Sequence, residues 1–114
     1  MITVFAIGLL FGQLLAQHHP WEPQPRSGTW MHEHEALLNQ THLHAKEEQI
    51  VFIGDSITHG WAGNGKAVWA KHYSDRHAFN YGIGGDRTEH VLWRIDNKEF
   101  DGIKAKVAVL MIGI

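Results

Sequence analysis

The chain has 114 residues, no cysteine, and 10 lysine plus arginine against 12 aspartate plus glutamate, a formal net charge of -2. Without cysteine there is no disulfide, thiolate zinc site or cysteine nucleophile, and no basic stripe interleaved with aromatics offers a nucleic-acid surface. The length allows at most one ordinary domain, and the 10 histidines turn the net charge positive as pH falls through about 6.5.

Residues 1–17 are almost wholly apolar from Val4 to Leu15, yet too short and glycine-broken for a stable membrane span. The stretch reads as a secretory signal peptide, which makes secretion the expected localisation. No lysine or arginine precedes the apolar run, and Ala16 and Gln17 lack a small-x-small cleavage pattern, so a buried or interfacial N-terminal helix stands as the alternative. Residues 18–28 carry all three prolines, Pro20, Pro23 and Pro25, and predict an extended connector after which folded structure begins.

From Thr29 onward, Trp30, His34, Leu37, Leu38 and Thr41 recur at helical spacing with Glu33, Glu35, Asn39 and Gln40 mostly opposite, predicting an amphipathic helix. The pairs His32/His34 and His42/His44 invite a metal reading. Residues two apart on a helix point in different directions, so no metal site is assigned. Asn39-Gln40-Thr41 is a glycosylation sequon, relevant only to a secreted chain.

Ile50-Val51-Phe52-Ile53 runs without a polar break into Gly54-Asp55-Ser56, which reads as a buried parallel strand ending in a tight turn. At that carboxyl end Ser56 faces the crevice where open α/β sheets bind ligands. It could act there as a nucleophile or serve as the N-cap of the helix that follows, and position alone leaves both open. Ser56 to Trp61 begins a helix that Gly60, Gly63 and Gly65 interrupt, and a second short helix follows around Val68 to Tyr73. Ala78 to Tyr81 predicts another strand, running into Gly82-Ile83-Gly84-Gly85-Asp86, where backbone amides can approach a ligand closely. Asp86 and Glu89 have capping-box spacing, and the next helix is expected to turn Val91, Leu92 and Ile95 inward and Arg94 outward. Asp96 to Lys106 reads as polar connection, and Val107 to Ile112 as a third buried strand.

Alternation of strands and helices predicts a parallel sheet with right-handed crossovers, all strand ends opening on one edge. If the first two strands are neighbours, Ser56 lies beside the Gly84-Gly85 turn, and a hydroxyl flanked by free amides suits acyl transfer. Phosphate binding by the glycine turn is the weaker use, because Gly82-x-Gly84-Gly85 lacks dinucleotide spacing and no P-loop lysine follows.

Val51-Phe52-Ile53-Gly54-Asp55-Ser56 resembles the first block of the GDSL or SGNH hydrolases, and Asn80-Tyr81-Gly82-Ile83-Gly84-Gly85-Asp86 resembles their second. Thr88 to Ile95, with Lys104-Ala105-Lys106-Val107 and the strand after it, is similar within that family to the catalytic subunits of platelet-activating factor acetylhydrolase type Ib. The resemblance covers roughly Trp30 to Gly113, making 29–114 the N-terminal part of such a domain. It implies a flavodoxin-like, doubly wound three-layer sandwich, incomplete here, with the first three of its five strands. It further implies a serine esterase acting on small acyl esters of lipid or sugar, acetyl esters among them, without a cofactor. Ser56 would be the nucleophile, the amides of Ser56 and Gly85 would form the oxyanion hole, and Gly54, Asp55 and Gly84 would support the turns. The third family block, Gly-x-Asn, is cut at Gly113 and Ile114, and the fifth, Asp-x-x-His, is missing, so neither an asparagine oxyanion donor nor the family base is present. His59 and His90 match no family base and read as surface histidines. The alternative is an inactive binding or interaction fragment of the same fold. With no fourth strand, Val107 to Ile112 would be a bare apolar edge open to self-association.

Overall fold

The computed structural model describes residues 18–114, so the stretch read as a signal peptide lies outside the described residues. Three parallel strands, β1 (Ile50–Gly54), β2 (Ala78–Gly82) and β3 (Val107–Met111), form one sheet in the order β2-β1-β3. Register is continuous: Ile50 to Gly54 pair in step with Ala78 to Gly82 on one side and with Val107 to Met111 on the other. The β-branched and aromatic run of β1 takes the central place because both its faces are covered. The helices are α1 (Thr29–His44), α2 (Ser56–His59), α3 (Lys66–His72) and α4 (Thr88–Asp96), with 3-10 turns at Gly60–Ala62 and Ser74–Arg76. The expected α/β fold with a parallel sheet and flanking helices is the one the chain adopts.

Alternation along the strands divides the core into two layers. On one face the Phe52 ring meets Trp61, Trp69 and Tyr73 at centroid distances of 6.0, 5.1 and 5.1 Å, and Trp61 and Trp69 lie 5.8 Å apart. This aromatic cluster fastens α3 and the glycine-rich segment before it. On the other face lies Tyr81, opposite Ile53 in register. Its hydroxyl donates to Glu48 Oε1 at 2.6 Å and lies 2.8 Å from Thr41 Oγ1 of α1. Trp30 of α1 and Trp93 of α4 pack at 5.4 Å, with His34 5.0 Å from Trp93.

The expected helix faces need correction. In α1, Trp30, His34 and Thr41 are buried, but Leu38 is exposed, because only a narrow stripe of α1 meets β2 and α4. In α4 Val91 turns inward as expected, but Arg94 and Ile95 exchange places: Arg94 is 0 % exposed and Ile95 is 49 % exposed. The inward stripe follows Val91 and Arg94, three residues apart, and a buried guanidinium is tolerated because carboxylates wait for it. The expected capping box on Asp86 is also absent: Arg87 is the N-cap, and its amide donates to His90 Nδ1 at 2.8 Å. Asp86 is drawn into the core instead. Within the expected polar connection, Glu99 is fully buried.

The third strand forms, but its reading as buried is corrected: every residue of β3 is exposed, including Val107, Val109, Leu110 and Met111. Residues 18–28 contain no helix before Thr29, yet they are not free: Gln24 N–H donates to Glu89 O at 3.0 Å, and Arg26 reaches the sheet edge.

Candidate active site

Ser56 is the first residue of α2, and Asp55 before it is the N-cap, with Oδ1 accepting the Ile57 amide at 3.0 Å. The capping role that stood open for Ser56 therefore belongs to Asp55. This leaves the exposed Ser56 hydroxyl uncommitted to a cap, and its amide is one of the orphan donors of a helix start.

The second turn lies alongside. Ile83 N–H donates to Gly54 O at 3.1 Å, tying the end of β2 to the end of β1. Asp86 N–H then returns to Ile83 O at 3.2 Å, closing a turn whose third residue, Gly85, has φ of 79°. A type II turn requires positive φ at that position, which glycine alone adopts without cost. Close packing brings the two segments together. A Cβ at Gly82 would lie 2.2 Å from His59 N, and one at Gly54 would lie 2.2 Å from Met111 O and 2.3 Å from Thr58 Oγ1. Gly54, Asp55, Ser56, Gly84 and Gly85 thus share one corner at the carboxyl edge.

A buried charge network anchors this corner. Asp86 accepts from Trp30 Nε1 at 2.7 Å, Arg94 Nη1 at 2.8 Å and Arg26 Nη1 at 3.1 Å. Arg94 also donates to Glu99 Oε2 and to the Tyr81 carbonyl. Two cations and two carboxylates alternate from the surface inward, so each buried charge meets an opposite one. Composition and periodicity did not reveal this set. The available signal was the bracketing of Arg94 by two acids, eight residues before it and five after.

The histidines occupy more defined places than expected. His59 is exposed, but its Nδ1 accepts the Gly84 amide at 3.3 Å. His90 is half-buried, 6.2 Å from the Trp30 ring, so its reading as a surface histidine is corrected. Burial lowers its pKa, with Asp86 and Glu89 opposing. Both Nδ1 atoms are engaged by backbone amides rather than by Ser56.

Burial pushes the Glu99 carboxyl up from 4.5 to about 7 although Arg94 pulls it down. His34, whose Nδ1 is 3.7 Å from Glu99 Oε1, is lowered from 6.5 by burial and then by Arg94. Burial likewise raises Glu48 and the Tyr81 phenol. A carboxyl raised on folding contributes stability that is full below its unfolded pKa and is lost as pH rises through its folded one. A histidine lowered on folding contributes stability that is full above its unfolded pKa and is lost as pH falls. The two oppose each other below pH 6.5, where the falling contribution of Glu99 overlaps the rising contribution of His34. Glu99→Gln removes the first contribution, so the thermal midpoint of the variant is expected to climb more steeply with pH across this window than that of the wild type. Parallel midpoint curves would contradict this reading.

A family model described as the GDSL-like lipase/acylhydrolase family matches residues 52–114. The chain is 40% identical over 86 residues to platelet-activating factor acetylhydrolase IB subunit alpha1 of Homo sapiens, covering 75% of this chain and 36% of that one. The alpha1 subunit of Rattus norvegicus is also 40% identical over 86 residues, covering 75% and 35%. The alpha2 subunit of Homo sapiens is 39% identical over 84 residues, covering 74% and 35%. The chain therefore spans about a third of the length of the curated relatives it matches.

Proposed function

The chain belongs to the GDSL-like lipase/acylhydrolase family, and from that premise we propose that it carries the nucleophile corner of a serine esterase acting on small acyl esters. The supporting observation is the division of labour at the first turn, where Asp55 caps α2 and the Ser56 hydroxyl stays free and exposed beside the Gly85 turn. In this reading the Ser56 oxygen attacks the ester carbonyl carbon and its proton passes to a base. The amides of Ser56 and Gly85 hold the oxyanion, the C–O bond to the alcohol breaks, and water releases the acyl group. The relatives are named as platelet-activating factor acetylhydrolase subunits, and an acetyl or similarly short acyl group on a lipid or sugar alcohol is the proposed substrate class here.

The family places its base in an Asp-x-x-His block that this sequence does not contain. Turnover is accordingly proposed for the whole protein carrying this chain. A fluorophosphonate probe, which captures an activated serine, is expected to label that protein at Ser56. Ser56→Ala is expected to abolish labelling and to lower ester turnover by roughly 10⁶-fold, the scale set by loss of a serine nucleophile elsewhere. Labelling or turnover that survives the substitution would refute the assignment.

A further inference from the structure

The Gly84-Gly85 peptide is the central unit of the turn, and its orientation decides where the Gly85 amide points. A trans peptide is planar, so its C=O and N–H point in opposite directions and fixing one fixes the other. Two consecutive glycines impose no such choice themselves, because each populates positive and negative φ about equally. Type I and type II turns differ by rotation of this same peptide.

Arg26 supplies the constraint. Its Nη1 donates to Gly84 O at 2.8 Å and to Asp86 Oδ1 at 3.1 Å. The guanidinium lies against the bare face of Gly85, with Nη2 3.1 Å and Nη1 3.3 Å from where a Cβ would stand. Asp86 is held in turn by Arg94 and Trp30, so Arg26 bridges an anchored core group and the carbonyl of the Gly84-Gly85 peptide. On the amide side of the same residue, Gly84 N–H is taken by His59 Nδ1 at 3.3 Å. The segment carrying Arg26 is fixed on α4 by the Gln24 to Glu89 bond.

We propose that Arg26 is a positioning residue of the esterase site: by holding Gly84 O it locks the Gly84-Gly85 peptide in the orientation that presents the Gly85 amide to the oxyanion. The inference rests on the acylhydrolase reading for its kinetic consequence, and on geometry alone for the locked peptide. A cation on the carbonyl also polarises the peptide and strengthens its N–H as a donor. The extended stretch ahead of α1 is in this view part of the site.

Both bonds leave from one nitrogen, so a lysine ammonium can replace them, whereas a neutral side chain of similar length cannot. The test compares Arg26→Met, Arg26→Gln and Arg26→Lys in the whole protein. Arg26→Met is expected to lower kcat and the fluorophosphonate labelling rate about 10- to 100-fold with KM little changed, somewhat less than the roughly 10²–10³ for outright loss of an oxyanion donor. Arg26→Lys is expected to recover most of that loss and Arg26→Gln little of it. If Arg26→Met does not fold, the contrast between Lys and Gln carries the same decision. Equal rates for Lys and Gln, or a Met variant within about twofold of wild type, would overturn the proposal, the change being far below that scale. Amide exchange at Gly84 and Gly85 separates the two readings. If wild-type Ser56 is never labelled, the esterase reading fails, while faster Gly85 exchange in the Met and Gln variants than in wild type and Lys still supports the locked peptide. Unchanged exchange refutes it.

Discussion

Replacing Arg94 by methionine is expected to destabilise the domain by about 3–5 kcal/mol, the cost of removing one partner from a buried ion pair. Methionine fills much of the same volume, so the loss comes from what is left behind. Glu99 loses its cation, the Tyr81 carbonyl loses a donor, and Asp86 keeps only Trp30 and Arg26. Set against a total stability of roughly 5–15 kcal/mol, this leaves the variant marginal at room temperature. The penalty should shrink on acidification, because Glu99 is already pushed up to about 7 and takes up a proton readily. Adding Glu99→Gln to Arg94→Met should recover part of the loss, since a neutral amide replaces an orphaned buried charge. Urea denaturation of the single and double variants measures both effects. A loss below about 1 kcal/mol, typical of a surface pair, would show that the network contributes little.

Gly82→Ala is expected to disable the site more than it weakens the fold. A methyl at this position meets only backbone, at 2.2 Å from His59 N, 2.6 Å from Thr58 C and 2.8 Å from His59 Cα. No side chain can rotate away, so α2 must move off β2 and carry Ser56 with it. Overpacking of this kind costs about 1–3 kcal/mol, whereas a misplacement of about 1 Å in a reacting group can cost roughly 10² in rate. Fluorophosphonate labelling of Ser56 should therefore fall about 100-fold in a protein that still unfolds cooperatively. Gly60→Ala is the control, because nothing lies within 4 Å of the added carbon and φ there is -58°. Comparable labelling in Gly82→Ala and wild type would show that the corner tolerates the shift.

What the sequence made legible was local. The runs Ile50 to Ile53, Ala78 to Tyr81 and Val107 to Ile112 are strands within a residue at either end, because β-branched and aromatic runs between glycine turns have few other uses. The juxtaposition of Ser56 with the Gly84-Gly85 turn followed from treating two of them as parallel neighbours, as they are. What stayed hidden depended on distant partners. The rule that charges face outward assigns Arg94 to solvent, and only the folded positions of Asp86 and Glu99 reverse it. Arg26 meets Gly84 from 58 residues away, across a segment whose prolines suggested only an extended chain. His59 likewise finds Gly84 only because α2 lies on β2.

The tryptophans offer one more consequence. Trp61 and Trp69 stand 5.8 Å apart in one layer, and Trp30 and Trp93 stand 5.4 Å apart in the other, with the sheet between the pairs. Indoles this close couple electronically, so each layer carries its own near-ultraviolet circular dichroism signal. Exchanging a single indole for phenylalanine silences one signal and leaves the other, which lets loosening of the layer beneath the Gly84-Gly85 turn be watched separately from melting of the layer around Phe52.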